Sequence, residues 1–205
     1  MTKENLNEEL NKIYEEKRKQ IEFIKSKTEE INKPIIYSEG YNYKFLERAK
    51  QIFLPNLDIE IKDCGGKNEL QKLFNLFTKT DFNRFHIFFV FDCDAKGSYD
   101  ACKLLKSNFI TPYIFPKNIN NQIIEIQSGI EHLFDAEIIE LKEESLLFSI
   151  TEVRRDGKII SRERKLRKDN FEKYFLEERN EDGDFYNFEE LFQIVEKKII
   201  AHNSR

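Results

Sequence analysis

Hydrophobic and polar positions change period several times along this chain, and each change marks an element. Between residues 3 and 31, Leu6, Leu10, Ile13, Lys17, Gln20 and Ile24 recur at alternating spacings of four and three, which predicts a helix. Lys17 and Gln20 interrupt its seam, which argues against a long coiled coil and leaves a helix laid on the domain or docked to a partner. After Lys33-Pro34 the texture turns apolar. Ile35-Ile36-Tyr37-Ser38 predicts a short strand ending in Glu39-Gly40, and a helical pattern runs from Asn42 to about Phe53, where Pro55 and Asn56 stop it. Leu57-Asp58-Ile59-Glu60-Ile61 alternates as a strand does and closes on Cys64-Gly65-Gly66. Lys67 to Thr78 then gathers Leu70, Leu73, Phe74 and Phe77 on one helical face.

The run Phe85 to Phe91 is continuously apolar, as in a strand buried on both faces of a parallel sheet. It ends in Asp92-Cys93-Asp94, with Gly97 permitting a tight turn. A helix carrying Ala101, Leu104 and Leu105 is expected near Ser98 to Ser107, and a fourth strand at Thr111 to Phe115. Strand and helix repeated at short spacing predict an α/β fold with a largely parallel sheet and right-handed crossovers. Further on, Leu146 to Val153 and Lys158 to Arg164 flank Asp156-Gly157, a turn pair that predicts a β-hairpin. Two Phe-rich helical stretches follow, one opening at Lys165-Leu166-Arg167-Lys168 and one carrying Phe188, Leu191, Phe192, Ile194, Val195 and Ile199. These textures divide the chain into an N-terminal helix (1–32), an α/β core (33–135) and a hairpin-plus-helix extension (136–205).

The 205 residues suffice for one domain with a sizeable core. A net charge of −4 argues against a uniformly basic nucleic-acid binder, so a polyanion would need a local patch. Arg154, Arg155, Lys158, Arg162, Arg164, Lys165, Arg167 and Lys168 supply one, with only Asp156 and Glu163 against them. Such a basic ribbon suits phosphate backbone without reading sequence. The chain has no long apolar run, its amino terminus is charged, and Cys64, Cys93 and Cys102 lack metal or disulfide spacing. A cytoplasmic protein away from membranes, with reduced thiols, is expected.

Candidate chemistry lies at the strand ends. In an open parallel sheet the carboxyl ends share one edge, where ligands gather. Glu39 would sit there with Asp92 and Asp94, whose side chains, two positions apart, point the same way. Three carboxylates this close call for a cation, and hard oxygen donors suit Mg²⁺ or Mn²⁺.

A Glu-Gly ending one strand, followed about fifty residues later by Asp-x-Asp-x-x-Gly ending another, resembles the TOPRIM domain of topoisomerases, primases and overcoming-lysogenisation-defect (OLD) nucleases. The resemblance spans roughly residues 34–117. Ser128-Gly129-Ile130-Glu131-His132-Leu133-Phe134 is similar to the Gly-Ile-Glu-Asn-Leu-Phe element that follows the core in OLD-like nucleases and their defence-associated relatives. Zinc-ribbon spacing and a second domain bearing a cleavage tyrosine are missing, which disfavours topoisomerases and primases.

The resemblance implies roles. Glu39, Asp92 and Asp94 would hold Mg²⁺ or Mn²⁺, Glu131 would complete or brace a second ion position, and Lys168 or Lys165 would stabilise charge on the phosphorus. The family usually has Asp or Asn four residues after the first Glu; here that position is Tyr43, and a loop one residue shorter would put Asn42 in the role. The expected activity is a metal-dependent endonuclease acting on DNA or tRNA in prokaryotic anti-phage defence. The PARIS-type nuclease subunit, which acts on tRNA, is a stand-alone relative. No Walker A pattern occurs in this sequence, so an ABC-type ATPase partner would act in trans. A homodimer is compatible. Two alternatives remain: an RNA-maturing TOPRIM nuclease without an ATPase, and a TOPRIM-derived binding module that has lost turnover.

Overall fold

The structure, a computed structural model, describes residues 3–203 apart from 81, 106, 143, 156 and 157. Four short strands, β1 (Ile35–Ser38), β2 (Glu60–Asp63), β3 (Ile87–Phe91) and β4 (Ile110–Ile114), form a parallel sheet in the order β2-β1-β3-β4. β3, buried at every position, lies in the interior of the sheet, as its unbroken apolar run requires. Alternate residues go to opposite faces. Ile36, Phe88 and Val90 belong to one core cluster, and Ile35, Tyr37, Ile87, Phe89 and Phe91 to the other.

Helices α3 (Lys67–Phe77) and α4 (Lys96–Lys103) cover the second face through Leu70, Phe74, Phe77 and Cys102. The first face takes α2 (Asn42–Phe53) through Phe45, Leu46 and Ala49, and the C-terminal part of the chain completes it. That part comprises α5 (Ala136–Glu140), α6 (Glu144–Leu147), the strands β5 (Phe148–Arg155) and β6 (Lys158–Leu166), α7 (Lys168–Lys173) and α8 (Glu189–Asn203). Phe171, Phe175, Phe185, Phe188, Leu191 and Phe192 are all buried in the same cluster as Phe45 and Phe134. The segment expected as an extension therefore shares the core of the sheet. Aromatic rings set its geometry: Phe134 meets Phe45, Phe171, Phe175 and Phe185 at centroid distances of 5.6, 5.4, 4.2 and 5.4 Å.

The structure departs from the sequence pattern in two places. The second strand begins at Glu60 rather than Leu57, because the Ile59 N–H bonds the Leu57 carbonyl in a turn and only Glu60 reaches register with Ile35. The helix expected at Ser98 to Ser107 is α4, Lys96–Lys103; Cys102 is its buried residue, while Leu104 and Leu105 lie past its end and are exposed. The described side chains of helix α1 (Lys3–Glu30) are exposed, Phe23 and Glu30 border a cavity with Tyr37, Leu73 and Leu76, and burial begins at Ile31. β5 and β6 pair antiparallel, while their turn at Asp156-Gly157 lies outside the described residues.

Candidate metal centre

Helices on both faces and the strand order 2-1-3-4 place a topological switch point between β1 and β3, where chain connections leave in opposite directions. Glu39 follows β1 and Asp92 follows β3, so these carboxylates flank the crevice. Glu39 Oε1 accepts the Asp92 backbone N–H at 3.2 Å, and Asn42 Nδ2 donates to Asp92 Oδ1 at 2.7 Å. Asn42, the first residue of α2, thus reaches the site that its place in the shortened loop suggested. Gly40, with φ +47°, turns the chain from strand to helix, and its N–H bonds the Gly65 carbonyl at the end of the neighbouring strand.

The electrostatics show a crowded negative edge. Burial, then the Glu39 charge, push the Asp92 carboxyl up to about 7; Asn42 pulls it down, and Asp94 and Glu131 add to the rise. Burial also raises Glu39, opposed by the Asp92 N–H and by Lys67. Asp94 is exposed, with Lys67 Nζ 3.8 Å from its Oδ2. Among the described residues no group of three or more His, Cys, Asp or Glu forms a metal cage. The donor set is two neighbouring, partly desolvated carboxylates, with Asp94 at the rim. That set fits Mg²⁺, which binds through one or two carboxylates and keeps water and substrate phosphate in its remaining positions.

A second cluster stands beside the first. Glu131 lies in a short 3₁₀ turn, Ile130–Leu133, and its side chain is only 2% exposed. Its Oε1 accepts the Tyr41 hydroxyl and pairs with Lys168 Nζ at 2.9 Å. The Lys168 side chain is 60% exposed, and its ammonium lies 5.3 Å from the Tyr41 ring centroid. Tyr41 is held in its protonated form by burial and by the nearby charges of Glu131 and Asp92, and its hydroxyl donates to Glu131. The turn is built around this carboxylate. Gly129 has φ +79°, and a Cβ there would stand 2.3 Å from Glu131 Oε2. Buried Asn121 donates to the Glu131 and Phe134 carbonyls at 3.3 and 2.8 Å, and Asn118 to the Leu133 carbonyl at 3.1 Å. Lys168 is placed by the first turn of α7, which Lys44 of α2 joins through Glu172 at 2.5 Å.

The basic ribbon is less free than its sequence suggests. Arg164, expected to grip phosphate, instead pairs with Glu125 at 2.8 Å and Glu144 at 2.7 Å, its guanidinium 4.4 Å from the Phe148 ring centroid. It fastens the strand pair to the body. Arg162 meets its cross-strand neighbour Glu152 at 3.2 Å, with most of its side chain exposed. Lys165 is exposed and on the opposite side of β6. The side chains of Arg154, Arg155 and Lys158 lie outside the described residues.

Glu39 and Asp92 are thus brought together, Glu131 and Lys168 are brought together beside them, and Asp94 stands at the edge. Tyr41, Asn118, Asn121 and Lys67 were missed. Tyr41 lies two residues past the first acid, and Asn118 and Asn121 sit in a loop as turn formers, each accepting a backbone N–H two residues on. These were the available signals. No protein-family model, curated protein or solved structure matches this chain.

Proposed function

We propose that this protein is a divalent-metal-dependent nuclease of the TOPRIM type. The observation that carries the reading is the meeting of Glu39 and Asp92 across the switch point, with Lys168, at the start of α7, held nearby by the buried Glu131. The ion would polarise the scissile phosphoryl group and lower the pKa of a water it holds. Glu39 and Asp92 are the residues that would hold it; Asn42 fixes the Asp92 carboxylate and the Asp92 backbone N–H fixes Glu39. Asp94, exposed at the rim, is available to the ion on its solvent side. Lys168 balances Glu131 in the free protein; its exposed ammonium is free to swing to a substrate phosphate and stabilise charge developing there. Lys165, near the end of β6 and with no described contact to the cluster, is offered as a backbone-gripping cation on the other side of the strand from Arg162. Nucleic acid, DNA or tRNA, is the substrate class, and an ATPase in trans is the partner that the resemblance offers. Among the described residues no helix is long and apolar enough to cross a membrane.

A binding module without turnover is favoured by one observation: Lys168 and Glu131 already neutralise each other. Incubating the purified chain with plasmid and with total tRNA, in Mn²⁺, Mg²⁺ or EDTA, separates the two. The nuclease reading expects cleavage of at least one substrate in metal and none in EDTA. Retention of nucleic acid without cleavage in any metal overturns it.

A further inference from the structure

Strand β2 ends at Asp63, and Cys64-Gly65-Gly66 leads into α3, which opens at Lys67. β2 runs parallel to β1, so this turn lies at the same edge of the sheet as Glu39 and Asp92. Its shape is fixed by bonds on both sides. Gly65 takes φ +80° and its N–H bonds Asp63 Oδ1 at 2.6 Å. Its carbonyl accepts the Gly40 N–H from the turn that carries Glu39. Lys67 is thereby tied to Glu39 through two turns and one backbone bond, and its side chain reaches Asp94, which follows a strand two places away in the sheet.

The Lys67 ammonium stands 3.8 Å from Asp94 Oδ2, beyond hydrogen-bonding distance, and the two side chains are 49% and 43% exposed. A pair so placed is worth little as a fastening. The same charge opposes the rise that burial imposes on the Glu39 carboxyl. For an ion held by Glu39 and Asp92, an ammonium this near is a cost, since like charges repel. One class of ligand reverses that sign: an anion that touches ion and ammonium together. The elements that carry the lysines of the site pack on opposite faces of the sheet, α7 with Lys168 in the first core and α3 with Lys67 in the second. A phosphodiester chain laid over the sheet edge would cross the carboxylates with a cation on each side.

We propose that Lys67 binds substrate phosphate on the α3 side of the metal centre, holding a backbone phosphate next to the one on the ion and across the site from Lys168. The assignment extends the nuclease site and rests on that reading of Glu39 and Asp92. Without the ion, Asp94 keeps the ammonium beside it. With the ion bound, Asp94 turns to it and Lys67 is released to the phosphate. Lys67 therefore opposes the metal and favours the nucleic acid. A lysine that only balanced Asp94 would leave nucleic-acid binding unaltered on removal.

The test measures two affinities of the full chain. Mn²⁺ binding alone is read from the electron paramagnetic resonance signal of the free ion. Binding of short labelled DNA and RNA with phosphorothioate linkages, which keep the backbone charge and resist cleavage, is read by fluorescence anisotropy in Mn²⁺ and in EDTA. Lys67→Gln should bind Mn²⁺ about 2–5-fold more tightly. In Mn²⁺ it should bind the oligonucleotides roughly 10-fold more weakly, with a salt dependence flatter by roughly 0.7–0.9. In EDTA the loss should be smaller, because Asp94 then holds the ammonium. Lys67→Arg keeps the charge and should keep both affinities near wild type. Lys72→Gln, on the same helix and 3.6 Å from Glu69, should change neither. Circular dichroism checks that each variant is folded. Mn²⁺ affinity unchanged or weaker in Lys67→Gln, unchanged oligonucleotide affinity in Mn²⁺, an equal loss with and without metal, or the same shifts in Lys72→Gln overturns the proposal. A wild type that ignores Mn²⁺ or the oligonucleotides overturns it together with the nuclease reading. A wild type that binds both but cuts neither unmodified plasmid nor tRNA overturns the nuclease reading alone, and the two opposite shifts then still support Lys67 as a phosphate ligand.

Discussion

Replacing Asp92 by Asn should stabilise the metal-free protein, and by more as the pH rises through neutrality. The Asn side chain can keep the geometry: its oxygen still accepts from Asn42 Nδ2, and its amide replaces a charge that faces Glu39. The native carboxyl takes up its proton at about 7, against 3.8 ordinarily. Below the ordinary value both folded and unfolded chains are protonated and Asp92 costs nothing. Between the two values the unfolded chain releases its proton while the folded one retains it, so stability falls with rising pH, and above about 7 the full penalty is present. A displacement of that size corresponds to on the order of 4 kcal/mol. Water at this partly exposed edge screens some of the charge, which leaves roughly 2–4 kcal/mol, or a Tm rise of roughly 5–15 °C for a chain of this length. Urea unfolding in EDTA, repeated from about pH 5 to about pH 8, measures the gap between variant and wild type. The gap should widen across that range and flatten above neutrality. A gap independent of pH, or a variant less stable than wild type at the alkaline end, would refute the crowding of Glu39 and Asp92.

Further expectations concern individual groups. Glu39→Gln should abolish metal-dependent cleavage with an unchanged circular dichroism spectrum; wild-type turnover at saturating Mg²⁺ would remove Glu39 from the site. Lys168→Ala should lower cleavage by about 10²–10³-fold, as loss of a transition-state donor does. Its stability loss should stay near about 1 kcal/mol, since Tyr41 still donates to Glu131 and the lysine is largely exposed. Gly129→Ala should cost about 1–2 kcal/mol in backbone strain alone and displace Glu131, seen as a lower Tm with reduced activity. Arg162→Glu with Lys165→Glu should weaken nucleic-acid binding for all sequences alike and flatten the salt dependence by roughly 0.7–0.9 per lost contact. Arg164→Glu should chiefly destabilise, because Glu125 and Glu144 lose their partner.

The middle of the sheet was legible because β1 and β3 are buried at every position and read as unbroken apolar runs, while β2, only partly buried, showed as alternation. The carboxylate pair was legible because acids directly after two such runs must share an edge. Leu104 and Leu105 misled: two adjacent leucines after a helical pattern continue it on periodicity alone, and nothing local says that α4 stops at Lys103. Arg164 misled for a related reason. Its basic neighbours made a patch in sequence, but Glu125 and Glu144 reach it from other elements, and such long-range neutralisation leaves no local trace. Tyr41 was invisible as a site residue because its partner, Glu131, is ninety positions away. The asparagines under the 130–133 turn were missed likewise; their hydrogen bonds go to backbone carbonyls, which no side-chain pattern records.

Binding of Mn²⁺ to the folded protein tests the central claim most directly, because it asks whether Glu39 and Asp92 form a cation site before any substrate is chosen. With Mn²⁺ at about 100-fold its Kd, unfolding free energy of the wild type should rise by roughly 2.7 kcal/mol over the EDTA value. Glu39→Gln and Asp92→Asn should each lose most of that gain while remaining folded. A wild type whose stability ignores Mn²⁺, or a gain that both variants keep, would contradict the account.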